Sequence, residues 1–439
     1  MLLPSVSKPF GIAAAALLVL LSSKCQASAV PVAASSSDVL DRAVRDVAAD
    51  DNHWVATWTS MPQLVESSNM PPSPYSSGGV FKDATLRQTL HLSIGTERLR
   101  VQISNTFGGS DLPITAATIA LTAGNKAGAA GIDTATLKKL TFNGSESVKI
   151  ARGQVAYTDA IDFNADPQAM VTVSLFSQAG QSGSSITGHP GSRTTSWMQG
   201  GNHVQDATIA GANTKHWYFV SAVEAWAPAN SSALIILGDS ITDGRGSTDD
   251  ANNRWPDLVL ARMQKAGITN IGVNNQAAGG NTVLTGGLGP PLLTRYKRDA
   301  LSMQGVKYVM IFEGVNDIGG GGTDSGSQNG IASRLIDAYK QITKDCKAAG
   351  IKTIGATITP FGGSGQSYSN PTRDQARQKV NDWILAPGNF DAVVDFAKIT
   401  SDPSTKSQLA RSFDGGDHLH PNVAGYQAMA DGFSLDIFK

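Results

Sequence analysis

The chain has 439 residues, enough for two domains, of which 41% are apolar and 16% are charged. Its formal net charge is −1 and it has no long basic run, so binding to nucleic acid through phosphate neutralisation has little support. This composition indicates a globular protein.

The first 29 residues have the pattern of a secretory signal peptide. A lysine precedes an apolar segment at residues 10–22, and Ala27 and Ala29 are small-residue cleavage sites. The apolar segment is short for a bilayer-spanning helix, which disfavours the alternative of an uncleaved membrane anchor. We therefore expect a secreted protein without a stable membrane anchor after cleavage, and a flexible lead-in at residues 30–51.

The cysteine content is low, with Cys25 and Cys346 as the two cysteines of the sequence. Cleavage at either alanine would remove Cys25, so the mature chain is not expected to contain an internal disulfide. Cys346 falls on the apolar stripe of a predicted helix, which favours a buried structural thiol.

Residues 52–228 are predicted to form an all-β domain, a sandwich or a jelly roll. Segments 85–94 and 98–104 alternate apolar and polar residues, and Gly95-Thr96 between them suits a hairpin turn. Residues 170–176 and 216–226 continue the strand pattern. Several tryptophans here are interpreted mainly as core residues, with stacking on sugars as the alternative: Trp54, Trp58, Trp217 and Trp226.

Residues 229–439 are predicted to form an α/β domain after a linker at residues 227–233. Short apolar strands alternate with helical stripes, which indicates a parallel sheet with helices on both faces. Strands are predicted at 233–237, 270–273, 308–312, 352–358 and 392–396, and helices near 254–266, 328–349 and 372–385 and after Pro421. Ligands of such sheets bind at the carboxyl ends of the strands, where Ser240 follows the first strand and Asn316 the third.

In the segment LIILGDSITDG a buried strand runs into Ser240, although a turn that merely contains serine would look the same. A serine hydroxyl attacks a carbonyl carbon poorly unless a base takes its proton, and that base is usually a histidine oriented by a carboxylate. Asp417 and His420 in DGGDHLHPN are spaced to hydrogen-bond across a turn; His418 competes as the base, but the Asp-x-x-His spacing favours His420. A metal site at these three residues is disfavoured because no second cysteine or histidine cluster completes a ligand set.

Catalysis at a carbonyl also needs hydrogen-bond donors for the developing oxyanion. Glycines in NQAAGGNTVL expose backbone N–H groups, with Gly280 well placed, and Asn316 in FEGVNDIGGG supplies a neutral amide past a strand end. The backbone N–H of Ser240 would be the third donor. Asp239 is expected to accept hydrogen bonds from the backbone of the serine loop, either to fix that loop or only to cap a helix.

The four blocks GDSITDG, AAGGNTV, GVNDIG and DHLH stand in order and resemble those of the GDSL, or SGNH, hydrolase superfamily. The resemblance covers about 210 C-terminal residues and implies a flavodoxin-like three-layer α/β/α fold. It implies Ser240 as nucleophile, His420 as base and Asp417 as the residue that orients the base. It also implies an oxyanion hole formed by Ser240, Gly280 and Asn316.

The resemblance implies a serine ester hydrolase that forms an acyl-enzyme and needs no metal or organic cofactor. The predicted all-β domain at residues 52–228 is similar to N-terminal β domains of some secreted microbial esterases, including some carbohydrate acetylesterases. An ester is therefore the expected substrate, first of all a short-chain or acetyl ester of a polysaccharide. A lipase or phospholipase acting on longer acyl chains and a non-catalytic carbohydrate-binding protein are the alternatives.

Overall fold

The computed structural model describes residues 51–439. The predicted signal peptide lies outside the described residues, and so does the lead-in except for its last residue. Antiparallel strands occupy the described chain up to residue 227, and parallel strands begin at residue 232. Between residues 51 and 439, no helix has the length and apolar character needed to cross a membrane.

The first part of the described chain, which we call the β region, consists mainly of short antiparallel strands. In chain order, β1 to β16 are His53–Thr59, Gln63–Leu64, Ala84–His91, Thr96–Ser104, Leu112–Ile114, Ala116–Leu121, Lys138–Lys139, Val148–Ile150, Val155–Tyr157, Ile161–Ala165, Met170–Ser177, Thr187–His189, Ser196–Gly200, Ala212–Thr214, Trp217–Tyr218 and Val220–Ala227.

Two larger sheets make up most of the β region. One has the order β1-β16-β4-β10, with β9 also paired to β4, and the other has the order β14-β13-β3-β11-β6-β7. Apolar side chains from both sheets form one buried cluster, which includes Trp58, Val173 and Trp217. The prediction of an all-β region is therefore confirmed, and two of its tryptophans belong to the core.

The predicted hairpin between β3 and β4 is wrong. Strand β3 pairs with β11 and β13, whereas β4 pairs with β16, β9 and β10, so the two strands belong to different sheets. The physical reason is burial, because Leu90 of β3 and Val101 of β4 both lie in the cluster shared by the two sheets. The connection crosses between the sheets at Gly95, where a Cβ atom would lie 2.8 Å from the carbonyl oxygen of Ala165.

The second part, which we call the α/β region, has a five-stranded parallel sheet flanked by helices, as predicted. Its strands β17 to β21 are Ser232–Gly238, Ile271–Ala277, Val306–Phe312, Lys352–Ala356 and Ala392–Val394. Its helices, numbered α1 to α8, are Ser240–Asp243, Trp255–Lys265, Leu292–Tyr296, Val315–Gly320, Ser325–Ala348, Pro371–Leu385, Phe396–Thr400 and Val423–Gly432. The buried thiol of Cys346 lies in α5, on the face that contacts the core.

The strand order β18-β17-β19-β20-β21 is the flavodoxin-like order 2-1-3-4-5. Strand β17 pairs with β18 on one side and with β19 on the other, so the chain goes from β17 first to β18 and then back across to β19. In such a sheet a crevice opens at the carboxyl ends of these strands, where the chain direction switches. The segments after β17, β18 and β19 meet there, and these segments contain Ser240, Gly280 and Asn316.

The β region packs directly against the parallel sheet. The N–H of Ala56 donates to the carbonyl of Gln304 (3.0 Å), and the side-chain amide of Asn274 donates to the carbonyl of Ala56 (2.9 Å). Residues 51–439 form one compact unit, with residues 228–231 connecting β16 to β17. The division into domains at residues 228 and 229 therefore stays a prediction.

Candidate active site

Ser240 begins the short helix α1 immediately after β17. The residue before it, Asp239, is the N-cap, and its carboxylate accepts a hydrogen bond from the N–H of Ile241 (3.0 Å). Burial, with smaller contributions from neighbouring carboxylates, raises the pKa of Asp239 to about 7. This cap fixes the turn that holds the hydroxyl of Ser240 at the carboxyl end of the strand.

The structure brings Ser240, His420 and Asp417 together, although the first two are 180 residues apart. The distance from Ser240 Oγ to His420 Nε2 is 2.8 Å, and the distance from His420 Nδ1 to Asp417 Oδ2 is 2.6 Å. Because Nδ1 faces a carboxylate, it holds the ring proton, and Nε2 accepts from the serine hydroxyl. The other oxygen of Asp417 accepts from the N–H groups of Leu419 (3.1 Å) and His420 (2.8 Å).

The electrostatics keep this histidine neutral near neutral pH. Burial lowers the pKa of His420 below its ordinary value; Asp417 opposes the shift, and the positive charges of Arg245 and Arg193 add to it. Burial acts to raise the pKa of Asp417, but hydrogen bonds from the His420 backbone and ring outweigh it, so the pKa falls below its usual range. A neutral imidazole beside an ionised carboxylate can accept a proton from serine.

His418, the competing base, does not face Ser240. Its ring bonds to the carboxylate of Asp414, and its backbone is left-handed at φ 60°. The imidazole lies beside Gly363, where a Cβ atom would be 2.3 Å from the ring. The two histidine rings therefore have different partners, Ser240 and Asp417 for His420 and Asp414 for His418.

Asn316 presents a side-chain N–H toward the same cavity. Its Nδ2 donates to the carbonyl of Asn281 (2.7 Å), and its Oδ1 accepts from the hydroxyl of Tyr368 (3.0 Å). Because a carbonyl oxygen can only accept, the atom of Asn316 that faces Asn281 must be the nitrogen. The second N–H of this nitrogen remains free for the cavity. Gly280 has a left-handed backbone at φ 68°, and its N–H has no acceptor within residues 51–439.

The buried guanidinium of Arg295 holds the loops of these donors in place. It makes hydrogen bonds to the carbonyls that end β17 and lie in β18, to the loop after β18 and to two carboxylates. Its acceptors are Gly238 O (3.2 Å), Gln276 O (2.6 Å), Asn281 Oδ1 (2.9 Å), Asp299 Oδ2 (3.3 Å) and Glu313 Oε2 (3.1 Å). Burial raises the pKa of Glu313 to about 8, against the lowering effect of Arg295.

Asp317 shapes the loop that contains Gly280. Its carboxylate accepts from the N–H groups of Val283 (2.8 Å) and Leu284 (2.9 Å). Burial raises its pKa to about 6 despite these hydrogen bonds. Arg295 and Asp317 thus bond the loop at nearby positions, Asn281 and residues 283–284.

A histidine of the β region, which the sequence patterns did not single out, completes the support. His189 Nε2 lies 2.9 Å from Asp243 Oδ1, and its Nδ1 lies 3.0 Å from the carbonyl oxygen of Met61. The second carboxylate oxygen of Asp243 accepts from the N–H of Gly279 (3.0 Å). This chain of bonds links the β region to the residue before Gly280. No sequence signal marks it, because His189 and Asp243 are 54 residues apart and belong to no shared motif.

Both regions line the cavity in front of Ser240, which has a volume of about 600 Å³. The α/β region contributes Ser240, Gly280, Asn316, Asp417 and His420, among others. The β region contributes mostly polar side chains, including Gln63, Glu66, Asn69, Arg193, Lys215 and His216. A second cavity of about 650 Å³ adjoins the first one at Gly280, Leu288, Asn316 and Tyr368.

The family model of GDSL-like lipases and acylhydrolases matches residues 236–428. The chain carries a GDSL-like lipase/acylhydrolase domain. The matched range includes the four sequence blocks and all five predicted site residues. No curated protein sequence matches the chain.

Solved structures are also similar to slightly less than half of the chain. A lipase/acylhydrolase from Enterococcus faecalis is 23% identical, with a TM-score of 0.35 over 46% of this chain and 92% of that one. An acetyl xylan esterase from Geobacillus stearothermophilus is 23% identical, with a TM-score of 0.36 over 47% of this chain and 95% of that one. A GDSL-like lipase from Bacteroides thetaiotaomicron is 17% identical, with a TM-score of 0.35 over 47% and 88%.

Proposed function

We propose that the protein is a secreted serine ester hydrolase that forms an acyl-enzyme on Ser240. One observation carries the proposal: the serine hydroxyl is hydrogen-bonded to His420 Nε2 at 2.8 Å, in a cavity that Gly280 and Asn316 also line. Nucleophile, base and oxyanion donors then face one volume, as acyl transfer requires.

In the first half of the proposed reaction, Ser240 Oγ attacks the ester carbonyl carbon as its proton moves to His420 Nε2. The carbonyl oxygen becomes an oxyanion, which the N–H groups of Ser240, Gly280 and Asn316 stabilise. The imidazolium is held by Asp417 and then donates its proton to the leaving alcohol oxygen. The bond between the carbonyl carbon and that oxygen breaks, and the acyl group stays on Ser240.

In the second half, a water molecule gives a proton to His420 and attacks the acyl carbon. The tetrahedral oxyanion forms again at the same donors. Its collapse breaks the bond to Ser240 Oγ, which takes the proton back from His420. The products are the free carboxylic acid and the regenerated serine.

The substrate that we propose is a short-chain, first of all acetyl, ester of a carbohydrate. The cavity walls favour a polar alcohol, since the β region lines them with amide, carboxylate and cationic side chains such as Asn69, Glu66 and Lys215. An acyl chain of lipid length would need an extended apolar surface. Of the strongly exposed large hydrophobic side chains among residues 51–439, only Leu288, at 51% exposure, lines this cavity. One such side chain is a small apolar surface for a long acyl chain.

A series of nitrophenyl esters from acetate to palmitate tests this function. We expect hydrolysis that is fastest on acetate, declines by octanoate and is lost in Ser240→Ala. A rate maximum at long chains would favour the lipase alternative instead. A wild-type protein that hydrolyses none of the esters and takes up no fluorophosphonate probe would point to the non-catalytic binding protein.

Secretion is proposed on the sequence pattern of residues 1–29 alone. Expression of the full chain in a secreting host and N-terminal sequencing of the protein in the medium test it. A new N-terminus directly after Ala27 or Ala29 is expected. Recovery of the uncut chain in the membrane fraction would favour the anchor alternative.

A further inference from the structure

A loop of the β region, residues 190–195, extends to the active-site cavity and presents an arginine there. Arg193 has a left-handed backbone at φ 49°, a conformation that long side chains rarely adopt. The loop is fastened to the α/β region, because the carboxylate of Asp250 accepts from both the N–H and the hydroxyl of Thr195 at 2.7 Å. In return, the N–H of Asp250 donates to the carbonyl of Arg193 (2.9 Å). The strained backbone is thus held by tertiary bonds, which is a pattern of functional positions.

The guanidinium of Arg193 has no ion pair and no hydrogen bond to any residue in the described range 51–439. Its Nε–H is buried without an acceptor. By contrast, Arg254, which lines a different cavity, is paired with Asp257 at 3.1 Å. A half-buried guanidinium without a protein partner has N–H donors free to bind an anion, which would also satisfy the buried Nε–H.

The other charged groups of the cavity already have partners within the protein. The carboxylate of Asp417 is hydrogen-bonded to the His420 ring, and that of Asp243 is hydrogen-bonded to the His189 ring. Glu66 accepts from two side-chain amides, those of Gln63 (2.6 Å) and Asn69 (3.0 Å). These carboxylates therefore leave Arg193 unpaired.

Arg193 lines the cavity and lies close enough to His420 for the two groups to interact electrostatically. In the proposed reaction, His420 Nε2 must reach the leaving oxygen, so the alcohol part has to extend past His420. Arg193 and Arg245 are both close enough to His420 for their charges to lower its pKa, and both line the cavity. The alcohol part is therefore expected to pass these two cations.

We propose that Arg193 forms an anion subsite, so that the preferred substrate is an acyl ester whose alcohol part carries a carboxylate. Within the proposed carbohydrate esters this describes an acetylated uronic acid. The inference rests on the proposed ester hydrolase function. A carboxylate suits the planar fork of a guanidinium, which binds it through two parallel hydrogen bonds. A sulfated sugar would present the same charge with a different shape.

Three acetate esters test the subsite: 4-acetoxybenzoate carries a carboxylate on the leaving group, 4-acetoxybenzenesulfonate carries a sulfonate, and methyl 4-acetoxybenzoate is neutral. The measured quantity is the ratio of kcat/KM for each anionic ester to that for the neutral one. We expect Arg193→Gln to lower the carboxylate ratio about tenfold, since a charge-assisted hydrogen bond is lost. Arg193→Lys, which keeps the charge without the fork, should retain part of the ratio.

The matched control is Arg98→Gln, which removes an exposed arginine of β4 outside the cavity and should leave the ratio unchanged. An unchanged carboxylate ratio in Arg193→Gln, or an equal fall in Arg98→Gln, overturns the subsite. A larger fall for the sulfonate than for the carboxylate overturns the choice of carboxylate and assigns the subsite to sulfated substrates.

Release of acetate from polymers extends the test to the proposed substrate class. The wild type is expected to release acetate faster from acetylated polygalacturonate than from acetylated xylan, and Arg193→Gln should lose this preference. A wild type that prefers acetylated xylan contradicts the proposal. If the wild type instead takes up no fluorophosphonate and cleaves no acetate ester, the ester hydrolase function itself fails, which is a distinct outcome.

Discussion

At the scale of single residues, the proposed chemistry depends on which atom of each polar side chain faces the cavity. Asp417 directs the Nδ1 proton of His420 away from the serine, so Nε2 is left to accept the hydroxyl proton. Asn281 and Tyr368 hold the amide of Asn316 so that a nitrogen, and not an oxygen, points at the expected oxyanion. The Asp417 carboxylate and the Asn281 carbonyl can only accept a hydrogen bond, so each must face an N–H group. The Tyr368 hydroxyl donates to the amide oxygen of Asn316.

The first residue-scale prediction concerns Asn316. Asn316→Ala is expected to lower kcat on nitrophenyl acetate about 10²- to 10³-fold, because one oxyanion donor is removed. Steady-state kinetics measure the effect, and Asn329→Ala in the exposed face of α5 is the control. A kcat within a factor of two or three of the wild type would remove Asn316 from the proposed oxyanion hole.

The second residue-scale prediction concerns pH. Because the pKa of His420 is lowered, kcat/KM should hold at pH 6.5, the ordinary value for imidazole, and fall only at lower pH as the ring becomes protonated. Arg245→Gln removes a cation that contributes to this lowering, so the acid limb should move to higher pH. The pH profile of kcat/KM measures both effects; a limb that stays in place or moves to lower pH contradicts the electrostatic argument.

At the scale of elements, the loops after β17, β18 and β19 converge because a parallel sheet with this strand order places their beginnings at one edge. Convergence alone does not hold a loop rigid. Arg295 and Asp317 supply that rigidity, since between them they bond the last residue of β17 and the connections after β18 and β19. The buried charges here act on the shape of the site and do not face the serine.

The element-scale prediction is that, above about pH 8 where Glu313 is ionised, Arg295→Met destabilises the fold by about 3–5 kcal/mol, because it leaves this buried carboxylate without its partner. Urea unfolding measures the change in the free energy of unfolding. Adding Glu313→Gln to the same chain should recover part of it, because the unpaired carboxylate is then gone. Exposed Arg98→Met is the control, and a loss no larger than in this control contradicts the role of Arg295.

At the scale of the whole molecule, the β region forms part of the candidate active site. It forms one side of the cavity and, through His189, reaches the loop that contains Gly280. Asp243 transmits this contact, because one oxygen binds the histidine and the other binds the N–H of Gly279. We therefore expect the geometry of the proposed oxyanion hole to depend on the β region.

The whole-molecule prediction is that His189→Ala lowers kcat on nitrophenyl acetate about ten- to a hundredfold, because Asp243 is no longer held and the Gly279 N–H shifts with it. Kinetics report kcat and KM separately, and a positioning role affects kcat more than KM. The control is His203→Ala, which removes a partly exposed histidine of the same region whose ring is paired with Asp206. Equal kcat values for His189→Ala and the control would contradict a positioning role of His189 in the reaction.

Local patterns in the sequence were sufficient to predict the α/β region and its candidate site. Apolar runs and helical stripes predicted each strand of the parallel sheet, and four short blocks predicted Ser240, Gly280, Asn316, Asp417 and His420, which the structure places around one cavity. The strand prediction is confirmed because strand burial depends on residues that are close in the chain, whereas the roles of the five site residues stay predictions.

The tertiary structure alone decided how the β region relates to this site. The crossing of β3 and β4 into different sheets depends on burial against strands far away in the sequence, so the alternation of each strand could not reveal it. Likewise, the bond from His189 to Asp243 and the unpaired guanidinium of Arg193 depend on two surfaces that meet only after folding. A sequence determines such contacts only through the whole packed chain, because no local pattern encodes which distant surface a loop will meet.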